Sequence, residues 1–155
     1  MTVRRIEVPE RLHALAALPG CDDTVAFTAR TAEQRTPEQW ARAVFEGGSP
    51  VMRAFLRTGW SLALGFRLGP NGSARHVLGW RLVSADGTAA VVEQESGLML
   101  ARNVFWPDGD RIVWGTFVRY RTGAARLIWP PVSLVHVLTA HPLLRRAALS
   151  PRARS

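Results

Sequence analysis

The chain has 155 residues, 47% of them hydrophobic, with six tryptophans and a formal net charge of +8. That length suits one domain over residues 1–155, which buries roughly 70% of the surface its unfolded chain exposes and can enclose a core and a pocket without a disulfide or metal staple. A lone cysteine, Cys21, excludes an intrachain disulfide and points to a reducing, cytoplasmic setting, while the apolar runs read as too short for a secretory segment or a membrane span.

All 20 basic side chains are arginine, a bias that a GC-rich genome explains without any functional demand for guanidinium groups. Their placement says more. Residues 1–110 carry twelve arginines against twelve acids, whereas residues 111–155 carry eight arginines and no acid, which supplies the whole net charge. The positive end of the chain is therefore its last strand, its last helix and its tail.

In chain order, a lead-in segment over residues 1–20 holds a short helix at 9–18 closed by Pro19-Gly20. Residues 23–30 alternate Val25, Phe27 and Ala29 with Thr24, Ala26 and Thr28, which predicts a strand with one face buried. Thr36-Pro37-Glu38-Gln39 is a capping box opening a helix that stops at Gly47-Gly48. Ser49-Pro50 caps the next, whose apolar residues, among them Phe55, Leu56 and Leu62, keep helical spacing to about residue 64. A loop covers 65–73. From His76 the period changes to two: residues 77–83 form a strand with Leu78, Trp80 and Leu82 on one face, and Asp86-Gly87 predicts a tight hairpin turn with positive φ. Strands over 89–95, 98–106 and 111–121 complete an antiparallel meander, the last with Ile112, Trp114, Thr116, Val118 and Tyr120 on one face. A helical region over 124–149 follows, divided by Pro130-Pro131 and kinked at Pro142, and residues 150–155 form a loose tail.

That order predicts an α+β fold in which the closing helix covers the apolar face of the sheet. The blocks TPEQWARAVFEG, VLGWRLVSADG, IVWGTFVRY and LIWPPVSLVHVLTAHPLLRRAA resemble an uncharacterised bacterial family of unknown function in the START-like (SRPBCC) superfamily, over residues 8–148. The resemblance implies the helix-grip fold: a curved antiparallel β-sheet wrapped around a long C-terminal helix, with two short helices between the first and second strands. It also implies an apolar pocket between sheet and helix, which members of the superfamily use to carry lipids, sense hormones, cyclise polyketides or, in multidomain enzymes, house a metal. The blocks are structural, and they carry over no functional residue.

Within that frame the candidate ligand-binding residues are Trp80, Trp114 and Tyr120 on inward faces, Thr116 as a polar handle among them, and His136 on the helix above. Together they suit a flat or hydrophobic small molecule, although each aromatic taken singly reads first as core packing. His136 can touch a ligand, act as general acid or base, or stand at the rim as an ordinary helix histidine. His136 and His141 lie about 140° apart on a helix, so no shared metal is expected, and no cofactor. Glu93 and Glu95 share one strand face; inward, either is a candidate base, and outward, which is the default, they are solvated or paired with a neighbouring arginine. Cys21 lacks the surroundings of an activated thiol, and there is no P-loop, dinucleotide fingerprint or serine elbow. Arg111, Arg119 and Arg121 flank Phe117, but only the end of an RNA-recognition strand motif is present, so nucleic acid is not expected. The leading expectation is binding of a hydrophobic small molecule. The alternatives are a cofactor-free cyclase or aromatase using His136 or Glu93, and a basic surface, with Arg152 and Arg154 in the tail, for nucleic acid or anionic membrane.

Overall fold

The computed structural model describes residues 2–150, so the part of the expected tail at 151–155 lies outside the described residues. Seven strands join in one antiparallel sheet. Four of them follow one another as a meander: β4 (Trp80–Ala85), β5 (Ala90–Glu95), β6 (Met99–Asp108) and β7 (Arg111–Tyr120). β7 then pairs with the much earlier β2 (Asp23–Arg30), in a register that sets Phe27 opposite Trp114 and Val25 opposite Thr116. Two short strands finish the edges, β1 (Arg4–Ile6) beside β2 and β3 (His76–Val77) beside β4.

The structure departs from the sequence reading at several points. β1 was not anticipated, so the two helices of the insertion, α2 (Pro37–Glu46) and α3 (Pro50–Leu64), fall between the second and third strands. The strand expected over 77–83 is two strands, because Leu78 and Gly79 both take positive φ (46° and 90°) and turn the chain back on itself. The Asp86-Gly87 turn works differently: neither residue has positive φ, and the Asp86 carboxylate instead accepts from the Thr88 and Ala89 amides at 2.7 and 3.0 Å.

Both faces of the sheet are buried, not one. On the inner face Val25, Phe27, Met99, Phe105, Ile112 and Trp114 pack beneath α2, α3 and α4 (Ala125–Leu149). On the outer face Ala26, Val91, Val104, Val113 and Phe117 are covered by α1 (Glu10–Ala16), the expected lead-in helix. The contact is close because Gly115 stands in the middle of β7: a Cβ there would run into the Leu12 side chain. Arg102 reaches from the same face to the Ala16 and Ala17 carbonyls, satisfying acceptors left open at the end of α1.

The helix starts follow the sequence. In α2 the Thr36 hydroxyl accepts from the Gln39 amide at 3.2 Å while the Gln39 side chain accepts from the Thr36 amide at 3.0 Å, and in α3 the Ser49 hydroxyl accepts from the Met52 amide. The division of the last helix at Pro130-Pro131 does not occur; α4 runs unbroken for 25 residues through all three prolines. The carbonyls that lose their partners belong to Arg126, Leu127 and Leu138, all exposed residues, so water can take the place of the missing amides. By length and composition alone α4 is long and apolar enough to cross a bilayer, a property that the core helix of a globular protein can share. In this fold it lies along the sheet, with its buried residues at the two ends: Ala125 and Trp129, then Ala140, Leu143, Leu144, Ala147 and Ala148.

Two glycines test this packing. Gly79 combines φ of 90° with Leu68 Cβ only 2.7 Å from where its own Cβ would stand. Gly79→Ala is expected to cost about 2 kcal/mol or more, and for a chain of this size to lower the melting midpoint by roughly 5 °C, whereas Gly87→Ala, in open space, leaves it unchanged. Thermal unfolding followed by circular dichroism checks both.

Candidate functional site

α4 is fastened at its ends, and between residues 130 and 139 every residue keeps some exposure. Beneath that middle stretch lies a cavity of about 370 Å³, a size typical of small-molecule sites. Its floor is the inner face of the sheet, with Trp80 from β4, Ala101 and Asn103 from β6, and Trp114 and Thr116 from β7. α3 supplies one wall through Leu56, Trp60 and Leu64, and α4 the other through Trp129, Val132 and His136. Phe55 and Val135 line it while half exposed, so the cavity opens to the surface between the two helices.

The walls are mainly aromatic and aliphatic. Trp114 stacks on Phe105 at 5.7 Å between ring centres, and Trp80 meets Trp60 and Phe66 edge to face at 5.4 and 5.5 Å. No lining residue among those described carries a carboxylate, an ammonium or a guanidinium group.

One polar network interrupts this surface, and its proton positions follow from the donors. Trp114 Nε1–H and the Thr116 hydroxyl both reach Asn103 Oδ1, at 2.8 and 2.6 Å. An indole N–H can only donate, so this Asn103 atom is the amide oxygen. The Thr116 hydroxyl has a single proton, which goes to Asn103, and its oxygen accepts from His136 Nε2–H at 2.9 Å. His136 is thus the Nε2–H tautomer, and its Nδ1 keeps a lone pair with no protein partner among the described residues. Burial pushes its pKa down from 6.5 to about 4, against a smaller opposing pull from the Asp23 carboxylate. At neutral pH the ring is uncharged.

Four of the five residues expected from the sequence, Trp80, Trp114, Thr116 and His136, come together in the cavity lining. Tyr120 does not; it ends β7 beyond the cavity, with the Arg126 guanidinium 5.8 Å from its ring centre. Asn103, the hub of the network, was missed. Its signal was a lone amide in register with Met99, Ala101 and Phe105 on an otherwise apolar strand face.

The remaining candidates lie elsewhere. Glu93 shares the outer face with Val91 and bridges Arg81 at 2.9 Å and Arg102 at 2.7 Å, and Glu95 pairs with Arg121. The outward default is therefore the observed arrangement. His13 lies edge-on to Phe117, His76 bonds Ser73, and His141 Nδ1–H donates to the Val137 carbonyl. Among the described residues no three metal-ligating side chains of the His, Cys, Asp and Glu types converge. Burial raises the pKa of the Cys21 thiol, which donates to the Leu18 carbonyl. Phe117 is fully buried and is not free to stack on a base. Compared with protein-family models, with curated proteins and with solved structures, the chain matches none.

The neutral His136 makes a pH prediction. The unfolded chain takes up the imidazole proton near pH 6.5 and the folded chain only near 4, so this contribution is intact above pH 6.5 and is lost as the pH falls from 6.5 towards 4, by up to about 3 kcal/mol. Urea unfolding across that range is expected to show a stability decline that His136→Asn reduces by this increment; equal declines in the two proteins would contradict it.

Proposed function

We propose that the chain is a helix-grip protein of the START-like kind that takes an uncharged, largely apolar small molecule into the cavity between its sheet and α3 and α4. The observation that carries this reading is the cavity itself: open between two helices, walled by aromatic rings, and free of charged side chains. The element order, with an antiparallel sheet closed by a long C-terminal helix, supports the same reading.

The polar network narrows the ligand. A carboxylate or ammonium group entering this site would lose its hydration without meeting an opposite charge, which is costly. A single hydroxyl or N–H, by contrast, meets a lining whose polar groups are the uncharged Asn103, Thr116, Thr139 and His136 side chains. Binding is favoured over the alternative of cofactor-free acid–base chemistry on two grounds. Glu93 lies on the other face of the sheet, and an imidazole with a pKa of about 4 is a weak base at neutral pH.

Titration with the uncharged fluorophore N-phenyl-1-naphthylamine is expected to give saturable fluorescence enhancement. The sulfonated analogue 8-anilino-1-naphthalenesulfonate should bind more weakly. Ala101→Phe, which places a ring in the cavity floor, should weaken the neutral dye by roughly tenfold or more, the scale set by losing one or two methylene-sized contacts. Undiminished dye affinity in a folded Ala101→Phe protein would sink the assignment of the site.

A further inference from the structure

α4 is apolar around its whole circumference, yet only seven of its 25 residues are buried. A helix of that kind normally belongs inside a protein or a membrane. Here the sheet covers one side, and the other carries Leu127, Leu134 and Leu138 into solvent, 80%, 62% and 66% exposed. α3 repeats the pattern across the cavity mouth, with Val51 and Leu62 exposed beside Phe55. A shallow apolar groove on α3 shares Phe55, Gly59 and Ala63 with the cavity, so the two exposed surfaces join at its opening. Apolar exposure on this scale marks an interaction surface.

The charges select the partner. Neither α3 nor α4 contains an acidic residue, and together they carry Arg53, Arg57, Arg126, Arg145 and Arg146. Among the described residues these five form no ion pair, whereas Arg42, Arg81, Arg102 and Arg121 do. Arg53, Arg57 and Arg146 donate to backbone carbonyls of α2 and of the loops at residues 48 and 69, which turns them away from the exposed face and leaves Arg126 and Arg145, both exposed, as its charges. The carboxylate that touches α4, that of Asp23, accepts from the Trp129 indole.

We propose that this face docks on an anionic lipid bilayer, the exposed leucines and Phe55 entering the interface and Arg126 and Arg145 meeting lipid phosphates. A second copy of the chain fits less well. A two-fold dimer through this face would set one acid-free, arginine-bearing surface against its own image. The inference rests on exposure and charge, independently of what the cavity holds.

Flotation with vesicles of three parts phosphatidylcholine to one part phosphatidylglycerol tests it. The wild type should float, less with phosphatidylcholine alone and less at high salt, and should be released by alkaline carbonate. Leu134→Glu combined with Leu138→Glu should weaken partitioning by about a hundredfold, roughly tenfold for each leucine withdrawn from the interface. Neither leucine lines the cavity, so the double variant should keep the wild-type circular dichroism and dye affinity. Val83→Glu, on β4, should float normally, as should Ala101→Phe with its cavity filled. Failure of the wild type to float, flotation of the double variant at wild-type strength, resistance to carbonate, or a wild-type dimer that the double variant splits would each overturn the proposal.

Discussion

The grip on the last turns of α4 is the constraint from which the rest of the structure follows. A helix end leaves carbonyls without amide partners, and here side chains from the segment after β2 supply donors. The Thr31 hydroxyl donates to the Ala148 carbonyl, and the Arg35 guanidinium donates to those of Ala147 and Ser150 at 2.7 and 2.6 Å. That guanidinium also lies 4.5 Å above the Trp40 ring, so the start of α2 is tied into the same joint, and Arg146 returns a bond from α4 to the Ala43 carbonyl of α2. Ala140, Ala147 and Ala148 are small enough to let α4 sit close against its neighbours there. At the other end the Trp129 indole bonds Asp23 at the start of β2. Strand β2 and the segment that follows it thereby hold both ends of the helix, and the space beneath the middle stays open.

The buried polar groups show how an apolar cavity tolerates a polar spot. An unpaired buried donor or acceptor costs about 1–3 kcal/mol, so each must be answered locally. Asn103 answers two donors with one oxygen, and Gln94 spends its amide on the Arg67 and Gly79 carbonyls. The second of those bonds braces the turn that Leu78 and Gly79 make with positive φ, and the Glu46 carboxylate holds the Leu78 amide from the other side. Trp80 Nε1 is the exception among the described residues, a buried donor with no hydrogen-bond partner inside the aromatic cluster.

What the sequence shows depends on how local each cause is. The capping box at Thr36, the Ser49 cap and the alternation of β7 are short-range signals, and the structure places those elements as read. Period two also put Trp80, Trp114 and Thr116 on the inner face. The failures have non-local causes. β1 is three residues that form a strand because β2 offers an edge. The second buried face depends on α1 folding back onto Gly115, and Gly115 looks like any other glycine until Leu12 lies on it. Pro130-Pro131 reads as a helix breaker locally, yet the helix continues where the freed carbonyls reach solvent. Glu93 could not be placed from its own strand, because Ala89 to Val92 are apolar on both sides; the arginines at 81 and 102 come from the neighbouring strands.

The charge map shows the same division. The sequence locates the arginine excess in the last third of the chain, but composition alone cannot say what those charges face. The fold shows that the acid-free α4 and the equally acid-free α3 flank one opening, that the outer sides of both are apolar, and that the outer side of α4 also carries the exposed Arg126 and Arg145. Each property has a separate explanation: apolar residues fill cores, and arginine follows codon bias. Their coincidence on one exposed face is harder to explain separately, since exposed leucines gain nothing from water and unpaired arginines gain nothing from one another. A surface that is apolar, cationic and placed at the mouth of a cavity is matched by a medium that is itself apolar within and anionic at its boundary. On the two proposals taken together, an uncharged ligand would meet that medium at the cavity mouth without first crossing bulk water.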